Sequence, residues 1–128
     1  MIGILMVTVG GGIGAALRYG CGLVVARHVD VGVSLWATLG VNVLGSLLMG
    51  VAVAWFAARG EAASQTAQLL VTTGILGGFT TYSAYAMETV RLVERGAWPA
   101  AAAYALGTMV LCIGVFFAGA ALFSKAAA

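Results

Sequence analysis

The residues best equipped for chemistry crowd into Gly74-Ile75-Leu76-Gly77-Gly78-Phe79-Thr80-Thr81-Tyr82-Ser83-Ala84-Tyr85, inside a segment, 62–87, that carries no charge. Each glycine costs ~1 kcal/mol in a helix interior relative to alanine, and the hydroxyls of Thr80 and Thr81 compete for local carbonyls. This predicts a broken helix. At membrane depth, freed N–H and C=O groups must face protein or a water-filled cavity, so a break there points to an ion or substrate site. The same small residues also suit a close helix–helix crossing, which is the competing explanation. Two polar stripes accompany the stretch: Thr38, Asn42 and Ser46 recur every four residues, and so do Tyr104, Thr108 and Cys112. Each stripe lies along one helix face, and two stripes on two helices can face one another across a pore. The Asn42 amide can donate two hydrogen bonds, as a dehydrated anion requires, although a membrane asparagine also serves as interhelical glue worth ~0.6–2 kcal/mol. Arg18 follows Gly10 and Gly14 at the same spacing of four. An intramembrane arginine normally faces a cavity or a partner, and snorkelling suits Arg18 less because about eight more apolar residues follow it.

These side chains must be positioned by helices in a bilayer. The 128 residues are 62% hydrophobic and 8% charged, with the charges clustered between long neutral runs, which marks a polytopic membrane protein rather than a soluble domain. The runs predict an all-α membrane protein in one domain, 1–128, with four transmembrane helices at about 2–26, 33–58, 64–90 and 98–123, the third broken near mid-membrane. Arg27, His28 and Asp30 form the first loop, Arg59-Gly60-Glu61 the second, and 94–99 the third, with Pro99 suited to the first turn of the last helix. His28 takes no role. Gly10-x-Gly12-x-x-Ala15, with Asp30 about 20 residues on, mimics a dinucleotide fingerprint, but no strand–helix alternation follows to support it. A net charge of +2 with no basic run gives nucleic acid no footing. No catalytic triad, metal-ligand cluster or phosphate loop stands in a credible context, which argues against an enzyme. Cys21 and Cys112 lie within predicted spans and no disulfide is expected. Glu88 and Arg91, three apart, predict a local ion pair. Tyr82 and Tyr85 share one helix face at mid-span, too deep for an interfacial aromatic belt.

Arg59 and Lys125 fall with the N-terminus, and Arg27, Arg91 and Arg95 fall opposite. Two cations against three set no orientation, so the chain is expected to insert both ways and to pair with an inverted copy of itself. In such an antiparallel homodimer two broken third helices cross near the midplane. Four backbone carbonyls, two from each chain, can then surround one small hard cation such as sodium.

Three motifs together resemble the Fluc/CrcB fluoride channels: 11–19 (GGIGAALRY), 38–45 (TLGVNVLG) and 73–83 (TGILGGFTTYS). The resemblance runs through essentially the whole chain. It implies a dual-topology antiparallel homodimer in the inner (plasma) membrane, with two fluoride pores and a structural sodium ion held by the carbonyls of Gly77 and Thr80. By the same resemblance Asn42 is a pore-lining donor. Tyr82 and Tyr85 take the places of phenylalanines whose ring edges meet the anion, Thr38, Ser83 and Thr108 add hydroxyls, and Arg18 supplies positive charge. The chain departs from the family at Ala84, Ala86 and Cys112, where hydroxyls are usual, and the tyrosine hydroxyls are the expected replacement donors. A small multidrug-type proton-coupled exporter, also four-helical, is the alternative, and Glu88 is the acidic residue it would use.

Overall fold

The computed structural model describes residues 1–27, 33–60 and 63–126, and His28, Asp30 and Glu61 of the expected loops lie outside them. Five helical elements follow in order: α1 (Ile2–Ala26), α2 (Val33–Arg59), α3 (residues 65–79), α4 (Tyr82–Glu94) and α5 (Trp98–Ala126). Lipid offers no hydrogen bonds to a backbone, so the uncharged runs satisfy their own N–H and C=O groups as helix. Among the described residues three helices are long and apolar enough to cross a membrane: Ile2–Ala26, Leu35–Arg59 and Trp98–Lys125. The expected third span at 64–90 arrives instead as two helices, α3 and α4, in line with a break. Large apolar side chains such as Val110 and Phe117 lie on the outside, while the small core holds Val41, Phe56, Leu76 and Phe79.

α3 starts where the Ser64 hydroxyl accepts the Ala67 N–H at 3.3 Å, an N-cap that ends the preceding turn. Gln65–Gln68 is α-helical, and Leu69–Leu76 then widens so that N–H groups bond five residues back, as Gly77 does to Thr72. This π segment is not visible in the sequence pattern. A last turn, Gly77–Phe79, precedes two extended residues, Thr80 (φ −76°, ψ 158°) and Thr81 (φ −150°, ψ 116°). The chain therefore breaks at the threonines, and Gly74, Gly77 and Gly78 all stay helical. Of the two contributions that predict the break, the threonines are the ones that mark its place.

Close packing accounts for two of those glycines. A Cβ on Gly74 would lie 2.9 Å from the Cα of Gly10, and one on Gly78 would lie 2.9 Å from the Cα of Gly11. Both explanations offered by the sequence are thus true, a residue or two apart. The contacts climb together along both helices, Gly3 beside Leu69, Gly10 beside Gly74, Gly14 beside Phe79, so α1 and α3 run parallel. α2 and α5 also run parallel, because Asn42 and Thr108 share a cleft while Gly50 packs on the backbone of Phe116 further along. Tyr85 bonding Ala105 across the turn at 95–97 makes α4 and α5 an antiparallel hairpin.

A substitution pair tests the α1–α3 crossing. A Cβ at Gly14 would strike the Ile75 carbonyl and the Phe79 amide, whereas one at Gly12 meets nothing within 4 Å. Gly14→Ala is expected to cost about 1–3 kcal/mol by overpacking against rigid backbone, while Gly12→Ala gains up to ~1 kcal/mol in helix propensity. Denaturant titration of the two purified variants measures the difference.

Candidate functional site

The break is held by side chains from two other places in the chain, Arg18 and Asn42. Arg18 of α1 donates from Nε to the Gly78 carbonyl at 3.3 Å, putting a cation at the C-terminal end of α3, where the helix dipole favours it. Asn42 of α2 grips Thr81 on both sides: its Nδ2 donates to the Thr81 carbonyl at 3.0 Å, and its Oδ1 accepts the Thr81 N–H at 2.8 Å. A two-point bond of this kind holds extended backbone much as a neighbouring strand would. Thr80 turns back onto α3, its N–H and hydroxyl both donating to the Leu76 carbonyl at 3.1 and 3.0 Å. The Thr81 hydroxyl caps α4 by accepting the Ala84 N–H at 3.2 Å, and lies 3.2 Å from the Ser83 hydroxyl.

This arrangement answers where the backbone hydrogen bonds of the break go. In an unbroken helix the Gly77 carbonyl would receive the Thr81 N–H, which goes instead to Asn42. The Thr80 carbonyl would receive the Ala84 N–H, which goes instead to the Thr81 hydroxyl. Two carbonyls three residues apart are so released from the ladder, and Gly77 is exposed on the surface of the single chain.

Two cavities meet at the break. The first, about 370 Å³, lies between α2 and α5 and is lined by Asn42, Ser46, Thr80, Tyr85, Thr108 and Cys112 among others. It gathers two residues of each polar stripe, as the sequence spacing anticipates. The second, about 340 Å³, is lined by Arg18, Thr38, Val41 and Ala84. Thr81 lines both, and is the wall between them. Thr38 therefore stands with Arg18 on the far side of that wall from the rest of its stripe. Gly77, Ser83 and Ala86 line neither cavity.

Tyr82 is 81% exposed, and its ring lies 5.2 Å from that of Tyr85, which in turn lies 5.6 Å from Tyr104. The Tyr85 hydroxyl donates to the Ala105 carbonyl at 3.0 Å. That corrects its expected use as a replacement donor, because the proton is already committed to α5 and the ring edge is what remains for the first cavity. Tyr104 Oη and Thr108 Oγ1 are buried without a hydrogen-bond partner in the protein. Glu88, buried, receives Arg91 Nη1 at 3.1 Å, the local pair their spacing predicts. Among the described residues no three His, Cys, Asp or Glu side chains come together.

Sequence reasoning missed the grip of Asn42 on Thr81 and the position of Thr81 between the cavities. One signal was present: Thr81 precedes the first residue of α4 and is an N-cap residue type, which fixes where the second half begins.

Comparison with known proteins gives consistent matches over nearly the full chain. The profile of a family described as CrcB-like protein, Camphor Resistance (CrcB), matches residues 5–120. A fluoride-specific ion channel FluC of Hyphomonas neptunium is 44% identical over 119 residues, 93% of either chain. Its namesake in Methylobacterium nodulans is 47% identical over 123 residues, 95% of this chain and 94% of its own. A third, from Agrobacterium fabrum, is 42% identical over 122 residues, 95% of this chain and 96% of its own.

Proposed function

The chain belongs to the CrcB family, and from that premise we propose that it is a fluoride channel, passing the ion passively through the two cavities that meet at Thr81. It is a membrane protein and not an enzyme. The observation that carries the reading is a cleft lined by Asn42, Ser46, Thr108 and Cys112 of the two polar stripes, with two buried hydroxyls, Thr108 Oγ1 and Tyr104 Oη, that have no protein partner, next to a cavity that holds Arg18. Fluoride is small and strongly hydrated, so a path for it must replace water with hydrogen-bond donors and the positive edges of aromatic rings. Asn42 has a second Nδ2 proton beyond the one given to Thr81, Thr108 offers a hydroxyl, and Tyr82 and Tyr85 offer ring edges. Thr38 and Arg18 attract the anion on the other side of the wall, and Ser83 reaches the path only through Thr81.

Four crossings follow from the parallel pairs. If α1 and α3 run one way and α2 and α5 the other, residues 65–94 carry the chain across between α2 and α5. The pairing of two copies is supported by Gly77 and Tyr82, since a released carbonyl and a phenol cannot face lipid at membrane depth and need a second copy over them. The even spread of cations makes that copy an inverted one. At the seam, the Gly77 and Thr80 carbonyls fit sodium, a hard cation that takes oxygen ligands, because both have lost their ladder partners. Sodium there would supply fixed positive charge between the two paths. The surrounding membrane is the cell's inner membrane. The exporter alternative has no support among the relatives, and its carboxylate, Glu88, is occupied by Arg91.

Purified protein in liposomes, followed with fluoride- and chloride-selective electrodes, tests the function. Rapid fluoride efflux with chloride retained is expected. Equal release of chloride, or no release of fluoride, would overturn the reading.

A further inference from the structure

Asn42 sits where the permeation path and the released carbonyls share one atom-level cause. Its Oδ1 takes the Thr81 N–H at 2.8 Å, and that N–H is the donor a continuous helix would return to the Gly77 carbonyl. Its Nδ2 takes the Thr81 carbonyl at 3.0 Å, which holds Thr81 extended and turns the Thr80 carbonyl out of the helix axis. We infer that Asn42 is the positioning residue of the cation site: by withholding the Thr81 N–H it keeps the Gly77 carbonyl free for sodium, so a side chain of the fluoride path sets the affinity of an ion it does not touch.

The inference rests on the cation reading given above, and three further features fit it. Thr80 cannot replace the clamp, because its N–H and hydroxyl are both on Leu76. Arg18 holds Gly78 and not Gly77. Gly45, one turn from Asn42, lets α2 approach the break, since a Cβ there would strike the Thr80 side chain. Without Asn42 nothing on α2 draws the Thr81 N–H aside, and the break is free to wind back into helix and close the carbonyl.

The test reads sodium without reading flux. Melting of the detergent-solubilised dimer, followed by the fluorescence of its Trp residues, is titrated with sodium against N-methylglucamine at constant ionic strength. Wild type is expected to gain stability with sodium. Asn42→Ala, which loses the acceptor, is expected to raise the sodium concentration at half effect about tenfold or more, the loss of one charge-neutral clamp in an apolar setting. Asn42→Asp keeps an oxygen for the Thr81 N–H and is expected to hold the sodium midpoint within about threefold of wild type, while losing fluoride efflux with its amide donor. Should the alanine variant not fold, Asn42→Ser, whose hydroxyl is too short to reach Thr81, carries the same expectation. A wild-type sodium midpoint in the alanine or serine variant overturns the inference, and so does a wild type whose melting ignores sodium. Fluoride efflux from the same preparations is a separate reading: wild type that conducts but ignores sodium leaves the channel standing, and wild type that responds to sodium but does not conduct removes the channel alone.

Discussion

Tyr85→Ile is expected to cut fluoride efflux by about tenfold, and Tyr85→Phe to change it by less than about threefold, because Tyr85 lines the first cavity while its hydroxyl is bonded to Ala105. On the scale of an aromatic pair, roughly 0.5–1.5 kcal/mol, losing the ring costs about two- to tenfold, and the upper end applies to a narrow path. The phenylalanine variant keeps that ring. What it loses is the hydrogen bond to Ala105, a net contribution of about 0.5–1.5 kcal/mol, which lowers the stability of the α4–α5 hairpin and leaves the path open. Efflux and melting measured on the same dimers separate the two effects. Unchanged efflux from an intact Tyr85→Ile dimer would make the ring a mere filler of space between Tyr82 and Tyr104.

Arg18→Ala is the second large effect. The side chain both caps the Gly78 carbonyl and lines the cavity on the Thr38 side of the wall. At about 8 Å and an effective dielectric of about 20, one unit charge is worth about 2 kcal/mol to an anion in that cavity, or ~30-fold in occupancy. Efflux should fall by that order, and α3 should lose its terminal cap as well. Arg18→Lys keeps the charge without the planar guanidinium, so it is expected to restore most of the anion's attraction and little of the cap. Raising the ionic strength narrows the gap between wild type and Arg18→Ala if the effect is electrostatic, since mobile ions screen exposed parts of the cavity. A gap that ignores salt would assign the loss to the cap.

How far these features could be read without coordinates differs by kind. The helices at 2–26, 33–58 and 98–123 were legible because a bilayer forces an uncharged run to hydrogen-bond to itself. The break was legible to within a few residues, from Thr80 and Thr81 among glycines. Its exact place was not legible from the glycines, because a glycine's freedom is a permission, and Gly74 and Gly78 use theirs to let α1 approach. The spacing of Thr38, Asn42 and Ser46 showed a shared face but not that Thr81, 39 residues from Asn42 along the chain, would divide it. The same holds for the Tyr85 hydroxyl, whose partner is a backbone carbonyl with no signature in residue type. The π segment at Leu69–Leu76 has no local sequence cause either, and part of it, Leu70 to Ile75, lies against Gly10 and Gly14 of α1.

The two extended residues at Thr80 and Thr81 also bear on how the protein is made. Residues 65–79 form a rod of about 22 Å at the usual rise of 1.5 Å per residue, shorter than the ~30 Å hydrocarbon layer. α4 carries Glu88, Arg91 and Glu94, and so has no independent claim on the bilayer. As sequence, however, 62–87 is one uncharged run long enough to span, so the two halves carry a single insertion signal. Their folded form depends on the other helices: Gly10 and Gly11 on α1 receive Gly74 and Gly78, Asn42 on α2 takes up Thr81, and Ala105 on α5 holds Tyr85. The signal that brings the segment into the bilayer is thus separate from the contacts that break it.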